Sequence, residues 1–112
     1  MSRFFDKQGK PMSLMEWAVC FEDPNFRQVA RTRLPHTTKW VSTIWMGLPP
    51  TVRDEDPYNP LIFETALFDR RMRGGLVVKR TTTEADAMDL HASMVVRYRY
   101  NRRQRRRHER VE

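Results

Sequence analysis

The chain comprises 112 residues, 39% of them apolar and 11% aromatic, with a formal net charge of +7. At this length a single domain buries about two thirds of the surface its unfolded chain exposes, so one modest core is expected, and the composition is too apolar for a wholly disordered chain. Cys20 is the single cysteine, which excludes an intrachain disulfide and a disulfide-stapled secreted scaffold; the N-terminal residues resemble no signal peptide or membrane span, so a cytoplasmic protein without membrane contact is expected.

The charge is unevenly placed. Residues 97–112 hold eight arginines and two glutamates, a local +6, whereas residues 1–96 hold thirteen basic and twelve acidic side chains. Such asymmetry marks an interaction tail on a nearly neutral body. Three stretches follow: an N-terminal arm over 1–12, a single α+β domain over 13–96, and an arginine-rich segment over 97–112.

In chain order, Ser13-Leu14-Met15-Glu16 has the form of a capping box and predicts a short helix. Its apolar face is Leu14, Trp17, Ala18 and Phe21, its stop is Glu22-Asp23-Pro24-Asn25, and it is expected to lie across a sheet. Arg27–Leu34 and Lys39–Met46 read as two strands joined by a turn at 35–38, the second rich in β-branched and aromatic residues. Gly47–Pro60, with four prolines and the acidic run Asp54-Glu55-Asp56, reads as a long loop. Leu61–Phe68 and Leu76–Thr81 are the third and fourth strands, separated by the basic turn Asp69–Gly75. Thr83 caps a second helix carrying the stripe Ala87, His91, Met94, Val95 and Tyr98, and no glycine or proline stops this helix from running on into the basic segment. The expected fold is α+β, a four-stranded antiparallel meander between an N-terminal helix and a long C-terminal helix, αββββα.

Several blocks carry a resemblance when taken together: residues 6–11, Ser13-Leu14-Met15-Glu16-Trp17, Phe21-Glu22-Asp23, Val29-Ala30, Trp40–Leu48 (W-V-S-T-I-W-M-G-L), Pro60–Thr65 (P-L-I-F-E-T) and Thr83-Glu84. From about residue 6 to 95 the chain resembles small proteins of actinobacterial phages and prophages. The resemblance implies a phage origin and a bacterial host cell. It carries over no activity and no catalytic residue, and the arginine-rich segment lies outside it.

Function is read most directly from that segment. Arg97, Arg99, Arg102, Arg103, Arg105, Arg106, Arg107 and Arg110 supply planar forks for phosphates, and the interleaved Tyr98 and Tyr100 supply stacking surfaces, so RNA or DNA is the expected partner. Arg70, Arg71 and Arg73 extend the basic surface if their turn lies on the same side. The other class of partner is a host or phage protein, met through the acidic run Asp54, Glu55 and Asp56 or through Trp40 and Trp45 as interface anchors. Trp17, Trp40, Trp45, Phe63 and Phe68 at strand or helix spacing are read mainly as core, with a base-stacking platform as the less favoured reading. Glu64, Asp86, His91 and Cys20 are the available catalytic side chains, but no phosphate loop or metal-ligand spacing accompanies them. Neither catalysis, a cofactor, a bound metal nor a small-molecule substrate is expected.

Overall fold

The computed structural model describes residues 3–50, 56 and 58–99. Two short strands, β1 (Phe4–Phe5) and β2 (Pro11–Met12), form a small antiparallel hairpin. Helix α1 (Leu14–Glu22) and the four-residue α2 (Pro24–Arg27) follow, then β3 (Gln28–Arg33), β4 (Lys39–Trp45), β5 (Phe63–Asp69), β6 (Gly75–Thr81) and α3 (Glu84–Tyr98). The large sheet has the order β3-β4-β5-β6, every neighbour antiparallel, which is the expected meander.

Both predicted helix starts are capped as their sequences require. The Ser13 hydroxyl accepts from the Glu16 amide at 3.1 Å while the Glu16 carboxylate accepts from the Ser13 amide, and Thr83 accepts from the Asp86 amide at 3.0 Å. The amide of Ser13 also holds the Glu16 carboxyl below its ordinary range. Asp23-Pro24-Asn25 does more than end α1. Asp23 caps α2 by accepting from the Asn25 amide, and Pro24 occupies its first turn, where a missing N–H costs nothing.

Two buried clusters sit on one face of the sheet, reached by the odd-numbered residues of β4 and β5. Phe5, Trp45, Ile62, Phe63 and Ala87 form the first, flanked by Trp17, Cys20, Phe21 and Phe26. Leu34, Val41, Leu67 and Met94 form the second, flanked by Val77, Leu90, Val95 and Tyr98. Helix α3 runs diagonally from one cluster to the other over β4 and β5, burying Ala87, His91 and Met94 of the expected stripe. Helix α1 does not lie across the sheet as expected. It packs on β1 and α2, with Leu14 exposed, and its Trp17 indole donates to the Met46 carbonyl at 2.8 Å. Trp17 stacks on Phe21 there, with the Phe4 ring tilted against the indole, so the aromatic face of α1 closes one end of the sheet rather than its surface.

Gly47 is the junction of these parts. Its carbonyl accepts from Phe5, its amide donates to Ile62, and its φ of 74° is in the left-handed region.

Between the two clusters lies a buried polar line. His91 Nε2 bonds the Thr32 hydroxyl and Nδ1 the Thr43 hydroxyl, each at 2.8 Å, and Thr43 bonds Thr65 at 2.8 Å. Hydroxyls donate or accept as required, so the neutral ring is satisfied in either tautomer. Burial disfavours the imidazolium and lowers the His91 pKa. A folded-state pKa below the unfolded value of about 6.5 makes the unfolded chain bind the proton first, so stability falls as pH drops below about 6.5. Thermal unfolding between pH 7 and 5 should show this loss, and His91→Gln should unfold with a flatter pH profile over the same window; identical slopes would refute the assignment.

Candidate basic binding surface

The two faces of the sheet differ in what they carry. Among the described residues, none of the even-numbered positions of β4 to β6 belongs to either buried cluster, and α3 packs on the face of the odd-numbered ones. Register places them: Arg33 faces Trp40, Trp40 faces Phe68, Ile44 faces Glu64, and Glu64 faces Arg80. Arg80 Nε and Nη2 both approach Glu64 Oε2 at 3.1 Å, and Nη1 donates to the carbonyls of Leu48 and Leu61, fastening both ends of the 48–61 connection to the sheet. At the other end of this face the indole of Trp40 stacks on Phe68, centroids 5.5 Å apart and planes 19° apart, and the Arg31 guanidinium lies 5.2 Å from the indole centroid. Around that stack Arg31, Arg33, Lys39 and Arg70 line a groove of about 510 Å³ whose remaining wall is Thr37, Thr38 and Trp40.

The groove sits where two hairpin turns meet. Asp69 is buried and ties them together: it accepts from the Thr38 hydroxyl at 2.6 Å and from the Arg71 amide at 3.0 Å, while the Arg70 amide donates to the Thr38 carbonyl at 2.9 Å. The Thr38 bond, then the Arg71 amide, hold the Asp69 carboxyl far below the usual carboxylate range, so it stays ionised. Its charge is taken up by the Arg71 side chain at 3.3 Å. Among the described residues no carboxylate lies within ion-pair distance of Arg31, Arg33, Lys39, Arg70 or Arg73. Among the described residues, this end therefore presents a cluster of cations around an acid, Asp69, already engaged by Thr38 and Arg71.

Helix α3 points at the same end. Its first turn lies by Trp45 and Phe63, and its last turn, through Met94, Val95 and Tyr98, lies by Leu34, Val41 and Leu67, which adjoin the two turns. Arg97 sits over the Tyr98 ring at 5.5 Å, and Arg99 caps the helix. The turn carrying Arg70, Arg71 and Arg73 is thus at the end of the fold from which the arginine-rich segment departs. Tyr100, Arg102, Arg103, Arg105, Arg106, Arg107 and Arg110, and with them the expected continuation of the helix, lie outside the described residues.

The acidic candidates are elsewhere. Asp54 and Glu55 lie outside the described residues; Asp56 accepts from the Tyr58 amide at 2.9 Å, which lowers its pKa, and the neighbouring Asn59 carbonyl accepts from Thr82 at the opposite end of the sheet from the basic turns. Glu84 and Asp86 in the first turn of α3 are at that opposite end too. Trp45, read as an interface anchor alongside Trp40, is corrected here: it is 0% exposed, its indole donates to the Phe5 carbonyl, and Phe26 packs edge-on against it. Odd and even positions of β4 face opposite ways, so only Trp40 reaches the open face.

Of the catalytic candidates, Glu64 is engaged by Arg80, His91 by two threonines, and Cys20 packs beside the first cluster. Among the described residues no group of three potential metal ligands converges, and no helix is long and apolar enough to cross a membrane. The sequence reading missed Arg31, Arg33 and Lys39. Arg31 and Arg33 alternate along β3 as a strand face demands, a signal hidden by the weak apolar pattern of that strand. Compared with known proteins, the chain matches no family model, no curated protein and no solved structure.

Proposed function

We propose that this is a non-enzymatic, phage-type accessory protein that binds nucleic acid, with the Arg97–Arg110 segment as its main contact and the basic end of the sheet as the continuation of that contact. The observation that carries the reading is the convergence of the α3 C-terminus with Arg31, Arg33, Lys39, Arg70 and Arg73 at one end of the fold. A polyanion held by the segment finds further cations, Arg31, Arg33, Lys39 and Arg70, on the same end of the body. Acidic side chains at the other end orient the approach, because a molecule charged oppositely at its two ends aligns in a phosphate field.

The test is titration of labelled RNA and DNA with the full chain and with a truncation after Val96, across a salt series. If the segment neutralises about six phosphates, the log–log slope with salt is about −4 to −5 for the full chain and much shallower for the truncation. Equal and negligible binding by both chains refutes the proposal. A second reading, a module that binds a host or viral protein, is favoured by Leu76 and Val78, which stand 38% and 51% exposed on edge strand β6. Capture of a protein partner that survives removal of residues 97–112 would favour it.

A further inference from the structure

The groove on the open face has two features that a phosphate-binding patch alone does not require. The first is a column of flat groups running across three strands: Phe68 on β5, Trp40 on β4 and Arg31 on β3. Phe68 and Arg31 come from strands on opposite sides of β4, so the indole has the phenyl ring towards one side and the guanidinium towards the other. The second is where the column stops. Strand β3 is an edge of the sheet and Arg31 is exposed, so the column ends in a planar cation facing solvent. Arg33 and Arg70 flank this end in the same groove.

Resting on the nucleic-acid reading, we propose that this groove is a subsite for an unpaired base of a single strand. The base extends the column on the solvent side of the Arg31 guanidinium, which lies over the Trp40 indole, and the adjoining phosphates are met by Arg33 and Arg70. Bases stack on guanidinium planes as they do on aromatic rings, and the stacked surface is reachable only when the base is out of a duplex. The sugar is not read. The hydroxyls of Thr37 and Thr38 in the groove wall already donate to the Leu34 carbonyl and the Asp69 carboxylate, which leaves no hydroxyl donor for a ribose oxygen. The subsite selects unpaired over paired strands and treats RNA and DNA alike.

The experiment uses the full chain and four fluorescent probes: oligo(U), oligo(dT), and RNA and DNA duplexes of matched length and mixed sequence. Arg31→Lys keeps the charge and removes the plane. The expected result is single-strand binding about tenfold tighter than duplex binding for both sugars. Arg31→Lys should abolish that preference, weakening single-strand binding by about tenfold at every salt concentration with an unchanged salt slope. Trp40→Leu should act in the same direction, and unchanged thermal unfolding of Arg31→Lys separates the effect from misfolding. Equal binding of single strands and duplexes, unmoved by Arg31→Lys, overturns the subsite while leaving nucleic-acid binding by the arginine segment intact. Binding of none of the probes overturns both. Displacement of the single strand by polyglutamate as readily as by unlabelled oligo(dT) overturns the subsite in favour of a general site for acidic chains.

Discussion

Gly47→Ala should destabilise the protein by about 3–5 kcal/mol, since it adds left-handed backbone strain to overpacking that cannot relax. A Cβ at this position would lie 2.6 Å from both the Trp17 and Trp45 indoles. Neither ring can yield cheaply. The Trp17 indole is fixed by its bond to the Met46 carbonyl, by stacking on Phe21 and by the tilted Phe4 ring, and the Trp45 indole by its bond to Phe5 and by Phe26. The local control is Gly74→Ala, because Gly74 has a φ of 76° with nothing within 4 Å of an added Cβ. That variant pays only the backbone term, about 1–2 kcal/mol. Urea unfolding of the two variants separates sterics from backbone, and a difference under about 1 kcal/mol between them would refute the close-packing account of the junction.

The second large effect is expected at Arg80. Arg80→Met leaves the Glu64 carboxylate, 23% exposed, and the Leu48 and Leu61 carbonyls without their donor. Breaking a fully buried pair costs 3–5 kcal/mol, and the residual solvent here reduces this to about 2–3 kcal/mol. Arg80→Lys should recover a minor part, because one ammonium cannot span a carboxylate and two carbonyls set by a planar fork. Adding Glu64→Leu to Arg80→Met should restore stability, as the stranded charge is then gone. A double variant no more stable than Arg80→Met would show that anchoring of the 48–61 connection, rather than the unpaired carboxylate, dominates.

What the sequence disclosed follows from how local each determinant is. Capping at Ser13 and Thr83 depends on residues three positions apart, and the meander on β-branched runs broken by turns, so both were legible. The second helix at Pro24–Arg27 was not, because aspartate and proline punctuate turns and open helices with the same chemistry. The hairpin pairing Phe4–Phe5 with Pro11–Met12 is too short to leave a periodic signal. The site was half legible. Alternation alone put Trp40 and Trp45 on opposite faces of β4, but which face is covered depends on the register that brings Arg33, Trp40 and Phe68 into line and Glu64 beside Arg80. Register is a non-local property, set by the whole meander.

Among the described residues the meander does not close, so β3 and β6 are its edge strands. Bare edges invite copies of a chain to add strand to strand, and this fold protects each with irregularity and charge. Strand β3 carries a bulge between Gln28 and Ala30 and the cations Arg31 and Arg33; β6 carries an irregularity opposite Leu67 and Phe68 and the exposed cation Lys79. The cations on the two edge strands therefore also oppose edge-to-edge approach of like-charged molecules. At about 1 M salt the screening length shrinks to about 3 Å, the electrostatic part of that protection is removed, and the irregularities are what remain against edge-to-edge assembly.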